Sequence, residues 1–161
     1  MISVTEAKKR IAEAFHALEP VTMHLADAAG KVLSEDLHAP FDIPAFAQSA
    51  MDGYAFAFQD WQPGKPLGIA GEVPAGSGII KKKMPGKAFR IFTGAPVPAG
   101  TDTVIMQEKT NATHDALTLQ DEHIRHGANV RPKGSEIKAG EIAMKKSHLL
   151  TPASIGFLAG I

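Results

Sequence analysis

Along the first twenty residues, Val4, Ala7, Ile11, Ala14, Phe15 and Leu18 recur at three- and four-residue steps, while Lys8, Lys9, Arg10 and Glu13 occupy the intervening positions. One apolar stripe against a charged face predicts an amphipathic helix. Ser3 and Glu6 have the spacing of a capping box, and Pro20 closes the pattern. A strand is expected at residues 21–25, followed by a brief helix capped by Asp27 and running to Leu33.

From Pro44 to Gly134 the helical period disappears. This stretch holds eight of the eleven prolines and eleven of the fifteen glycines, which suits short strands and tight turns rather than long helices. The strands expected here cover 88–92, 103–107, 116–119 and 128–131, with Gly64, Gly71, Gly76, Gly78, Gly86 and Gly100 marking turns. After Gly140 a strand is expected over 141–144. Thr151-Pro152 then opens a helix, threonine as cap and proline in the first helical position. The apolar run Ser154, Ile155, Phe157, Leu158, Ile161 reaches the last residue without a cap, which reads as a chain cut short. The fold expected is α+β with a mostly-β domain: an antiparallel β-rich domain over 44–138, inserted into a small α+β domain made of 1–43 and 139–161.

Composition adds exclusions. Hydrophobic residues are 44% and charged residues 21%, as in a globular chain, and 17 basic side chains balance 17 acidic ones. No global field draws nucleic acid or a membrane surface, so any anion must be held by local groups. With no cysteine there is no disulfide, thiolate metal site or thiol nucleophile. The polar N-terminus lacks the apolar core of a signal peptide, and the longest apolar run is too short to span a bilayer. These features suggest a cytoplasmic protein.

Three stretches offer chemistry. Asp52 lies among small and apolar neighbours beside Gly53, which permits a tight or left-handed turn. It reads either as a ligand for a hard cation or a water, or as a cap on its own Asp-Gly turn. Thr93 heads the stiff turn Thr93-Gly94-Ala95-Pro96-Val97-Pro98, where its hydroxyl could meet a phosphate or metal oxyanion and Gly94 would let a ligand approach the backbone. The competing reading is a turn that only reverses a strand. Arg131, Lys133 and Glu136 cluster around a Gly134-Ser135 turn, either as anion contacts or as solvated charges at a hinge. His123 and His126 lack a third metal ligand nearby, and Lys81-Lys82-Lys83 reads as a solvated turn.

The words Ser49-Ala50-Met51-Asp52-Gly53-Tyr54-Ala55, Ile91-Phe92-Thr93-Gly94-Ala95-Pro96-Val97-Pro98 and Val104-Ile105-Met106-Gln107-Glu108, followed by Asn129-Val130-Arg131, resemble in order and spacing the N-terminal half of the MoeA/gephyrin-E family of molybdopterin molybdenumtransferases. The resemblance covers essentially the whole chain. It implies an N-terminal fragment, domains I and II, of an enzyme that transfers molybdenum from molybdate to adenylylated molybdopterin with release of AMP. It also implies Mg²⁺ as cofactor and a homodimer whose cleft lies between domain II of one subunit and domain III of its partner. Asp52 then corresponds to a catalytic, cation-holding acid and Thr93 to a catalytic, substrate-binding hydroxyl, with Gly94, Arg131 and Glu136 as further substrate contacts. The family usually carries Gly-Glu-Asp where this chain has Gly134-Ser135-Glu136, so the acid here is one methylene longer. Without the doubly wound domain III the fragment is expected to be inactive alone. The alternatives are a non-catalytic β-domain used as a binding or scaffold module, and a metal-binding β-protein using His123 and His126.

Overall fold

The computed structural model describes residues 2–16, 18–76 and 82–161. Contacts divide the chain into two compact units, one built from 1–37 and 144–160, the other from 38–143. The β-rich unit takes in 38–43 and 139–143 as well as the expected 44–138.

In the first unit, helix α1 spans Val4–Ala14, and Ser3 caps it by accepting the Glu6 amide at 3.1 Å. Its apolar stripe is exposed, and no residue of α1 is buried. The strand expected over 21–25 and the helix expected up to Leu33 do not form. A single 3-10 turn, Leu25–Asp27, stands there instead, followed by Gly30 at φ 77°. Residues 30–33 instead exchange backbone hydrogen bonds with 147–150. That distant segment supplies the partners a local helix would otherwise have supplied. Helix α2, Pro152–Leu158, starts where Thr151-Pro152 places it, with Thr151 accepting the Ser154 amide.

The second unit centres on a curled sheet. The strands in chain order are β1 Leu37–His38, β2 Gln48–Ser49, β3 Gly53–Phe56, β4 Leu67–Val73, β5 Lys87–Ile91, β6 Thr103–Met106, β7 Thr110–Ala112, β8 Ala116–Leu119, β9 Val130–Arg131 and β10 Ile142–Met144. Six of them form one sheet in the order β6-β3-β5-β4-β8-β7, antiparallel except for the β4–β5 pair. An α+β fold with a mostly-β domain is therefore what the chain adopts. Gly71 does not mark a turn. It lies inside β4 at φ 133°, where the register with β5 shifts between Ile69 and Glu72, as glycine at a bulge allows. Gly78 and Lys81 lie outside the described residues.

Both faces of this sheet are covered. Ala55, Val73, Phe89, Ile91, Ala95 and Val104 form one buried cluster; Phe56, Leu67, Ala88, Ile105, Leu117 and Leu119 form another. Neighbours in sequence, Ala55 and Phe56 or Val104 and Ile105, serve opposite clusters because side chains alternate along a strand. With apolar residues needed on both sides, β3 and β6 read as continuous apolar runs, which periodicity alone cannot tell from a helix segment.

Candidate functional site

Three strand ends meet at one end of the sheet: the start of β3, the end of β5 and the end of β6. Gly53 pairs with Ile91 on one side and Met106 on the other. The residues just beyond these ends, Asp52, Thr93 and Gln107, are brought into hydrogen-bonding distance. The Asp52 carboxylate accepts both the Thr93 amide and the Thr93 hydroxyl on Oδ1, each at 2.8 Å. The Gln107 amide donates to the Asp52 carbonyl at 3.1 Å. Asp52 and Thr93 are both exposed, and Oδ2 of Asp52 accepts no hydrogen bond among the described residues.

Two expectations change here. Asp52 does not cap its own turn; it caps the turn that begins 41 residues later. The Thr93 hydroxyl is not free either, since its proton is already given to Asp52. Gly53 is not left-handed. It is required by proximity instead, since a Cβ there would lie 1.9 Å from the Ile105 carbonyl oxygen. Gly94 does adopt a left-handed φ of 81°, with open space where a side chain would stand, and its amide is given to the Ser49 carbonyl.

Arg90, Gln107 and Glu108 complete the cluster, and sequence reasoning had not singled them out for a role. Arg90 donates through Nη1 to the Gly53 and Ile91 carbonyls at 2.9 and 3.0 Å, and through Nη2 to Gln107 Oε1 at 2.6 Å. Its guanidinium lies 4.6 Å from the centre of the Phe92 ring and 5.5 Å from that of Tyr54. Gln107 passes the network on to Glu108 Oε1 at 3.0 Å. The available signal was a lone arginine amid strand-forming apolar residues in Phe89-Arg90-Ile91-Phe92, a charge that must find partners once its strand is central.

The electrostatics follow from these contacts. The Thr93 amide and then its hydroxyl hold the Asp52 carboxyl below its ordinary range, against an opposing cost of desolvation that exceeds the further lowering by the Arg90 charge. Glu108 is lowered by its own backbone amide, the Gln107 side chain and Arg90, and raised by the nearby Asp52 charge. Asp42, bonded to the Ala139 amide and close to Lys133, and Asp121, bonded to Lys109, are lowered too. Groups with depressed folded-state values stabilise the fold above the unfolded carboxylate range, about 3.9 to 4.3. That stabilisation is lost as pH falls through the folded values. Thermal melts should therefore be flat from neutral pH down to about pH 4.5 and fall below it, with Asp42→Asn shallowing the acid limb. Stability that rose on acidification would contradict this account.

The other expected contacts lie apart. Strand β2 separates the proline turn from β9: Gln48 bridges Pro96 and pairs with Arg131, while Ser49 exchanges backbone bonds with Gly94 and Ala95. Arg131 and Glu136 are exposed, and neither contacts Asp52 or Thr93 among the described residues. Lys133 is engaged with Asp42 at 3.3 Å. His123 and His126 line an open recess of about 420 Å³ with Lys109, Asp121 and Arg125; His126 packs edge-on against Phe58 and lies 3.5 Å from Asp102. Lys83 is no solvated charge, because it sits 3.6 Å from Asp60.

Among the described residues no three His, Cys, Asp or Glu side chains converge as a metal site. The donor set nonetheless suits Mg²⁺, which keeps several waters and takes one or two carboxylates plus substrate phosphates rather than an all-protein cage. Asp52 Oδ2 is such a carboxylate oxygen.

Asp52, its threonine and the arginine fork thus form one hydrogen-bonded corner at the end of the sheet, with a carboxylate oxygen left open at its surface. The family model for the MoeA N-terminal region (domain I and II) matches residues 2–161. Molybdopterin molybdenumtransferase 2 of Mycobacterium tuberculosis is 34% identical over all of this chain and 41% of its own length. The molybdopterin molybdenumtransferase of Haemophilus influenzae is 33% identical over all of this chain and 40% of its own length. The crystal structure of the molybdopterin biosynthesis moeA protein from Pyrococcus horikoshii OT3 superimposes with a TM-score of 0.77 at 34% identity, covering 86% of this chain and 38% of that one. The chain belongs to the MoeA family. It spans about two fifths of the length of the curated relatives it matches.

Proposed function

We propose that the chain is the N-terminal part, domains I and II, of a molybdenum insertase that moves molybdenum from molybdate into adenylylated molybdopterin and releases AMP. The observation that carries this reading is the direct pairing of exposed Asp52 with Thr93, in a chain 33–34% identical to proteins named molybdopterin molybdenumtransferase. Asp52 would hold a Mg²⁺ ion through its free oxygen, and the ion would supply neutralisation of phosphate charge. Thr93 is the hydrogen-bonding partner of a phosphate or molybdate oxygen. Its amide keeps Asp52 in place while the hydroxyl turns from Asp52 to the ligand. Gly94 leaves the approach to the turn open, Arg131 offsets substrate negative charge from the neighbouring strand, and Glu136 stands in for the family's shorter acid. The compact units correspond to domain I (1–37 and 144–160) and domain II (38–143).

The remaining wall of the cleft comes from a doubly wound domain beyond these residues, contributed by the partner in a cytoplasmic homodimer. A site with one wall cannot hold reactants in register, so the 161-residue chain alone is inactive. The test is AMP release and molybdenum incorporation by the full-length protein carrying Thr93→Val. A lost hydrogen bond to a charged group costs roughly 1.5 to 3 kcal/mol, so turnover should fall on the order of tenfold to a hundredfold. Wild-type turnover in Thr93→Val would remove threonine from the mechanism.

A further inference from the structure

We infer that Arg90 is a positioning residue of this site: its fork holds together the three strand ends that place Asp52 against Thr93. This rests on the proposed role of the Asp52–Thr93 pair.

Asp52 and Thr93 belong to different strand ends, and both hydrogen bonds between them run to one exposed side-chain oxygen, Asp52 Oδ1. What fixes their separation is underneath. Arg90 projects from β5 opposite Tyr54 of β3. Nη1 bonds the carbonyl of Gly53, the residue after Asp52, and that of Ile91, two residues before Thr93. Nη2 bonds the side chain of Gln107, whose own amide holds the Asp52 carbonyl. Phe92 and Tyr54 flank the guanidinium and hold its plane. Strand ends fray unless something replaces the ladder they leave, and here one planar group serves all three. Lysine keeps the charge but has no fork; one ammonium cannot reach these acceptors in their geometry or stack on the rings.

The test is Arg90→Lys in the full-length protein, read by steady-state kinetics and by amide hydrogen exchange of individual residues. A displacement of about 1 Å can cost on the order of a hundredfold in rate. We expect kcat to fall roughly tenfold to a hundredfold, with KM for the adenylylated pterin changing less than about threefold. The Thr93 amide should exchange at least about tenfold faster while those of Phe56 and Ile105 keep their protection. Unchanged kcat with a protected Thr93 amide overturns the inference. So does an equal acceleration of all amides, which would mean that Arg90 serves general stability. If Arg90→Lys does not fold, Gln107→Leu removes one acceptor and leaves the arginine. It must then give the same local split, and normal kcat would count against the staple. Failure of the proposed function shows differently: Asp52→Asn would retain turnover, and Thr93 exchange alone would then decide the role of Arg90.

Discussion

Asp52→Asn in the full-length protein is expected to reduce AMP release and molybdenum incorporation about a hundredfold to ten-thousandfold, the loss expected when a cation worth several kcal/mol of transition-state charge stabilisation is no longer held. The substitution is nearly isosteric. The asparagine Oδ1 can still accept the Thr93 amide and hydroxyl that Asp52 accepts at 2.8 Å, so the local fold should survive. What disappears is the negative charge. An amide oxygen is a weaker ligand for a hard cation, and the amide nitrogen that replaces Oδ2 is a donor pointed where the carboxylate offered an acceptor. Loss of activity should thus come with an unchanged circular dichroism spectrum, with only a small drop in melting temperature near neutral pH as the stabilising charge of Asp52 is lost, and with a higher divalent-cation requirement. If molybdoenzyme activity in cells persists with Asp52→Asn, the β-rich unit is a binding or scaffold module instead.

Gly53→Ala is expected to be severely damaging, costing about 4 kcal/mol or more, a size reached only by a few named mechanisms. The new Cβ would stand 1.9 Å from the Ile105 carbonyl oxygen and 3.1 Å from Met106 Cα. Both are backbone atoms of β6, so no side chain can rotate away. Either β3 and β6 separate, which exposes Ala55, Phe56, Val104 and Ile105, all essentially buried, or the strand slips. A slip by one residue would swap the two clusters between faces. Gly86→Ala provides the contrast. Its φ of 66° is left-handed, but its Cβ would meet open space, so only the backbone penalty of about 1 to 2 kcal/mol applies. Urea unfolding of the chain should separate the two variants clearly. Equal stabilities would show that β3 and β6 are not in the close contact described.

The same glycine illustrates where sequence reasoning stopped. An Asp-Gly pair suggests a turn, and glycine's freedom at positive φ was the natural explanation. The actual reason is an atom 52 residues further on, Ile105 O, which no local pattern reveals. Arg90 is a similar case. Its position in an apolar strand was visible, but its partners come from β3 and from the residue after β6. Strand β3 lacks the alternation that marks a strand because its residues serve both buried clusters, and β4 is hidden by Gly68 and Gly71, which lie inside the strand although glycine reads as a turn residue. The segment 21–33 was misread because its backbone bonds go to 147–150 rather than to its own neighbours.

What the sequence determined by itself was the local and the shared: the Ser3 cap, the Thr151-Pro152 helix start, the punctuated β-rich stretch, and three words that carry the family. Those signals act within a few residues, where capping, proline geometry and turn chemistry need nothing from elsewhere in the chain. Tertiary structure decided the pairing of Asp52 with Thr93, the capture of the threonine hydroxyl, the arginine beneath them and the standing of Arg131 one strand away. Each depends on strand order and register, which are set by burying two apolar faces at once and so by contacts between residues far apart along the chain.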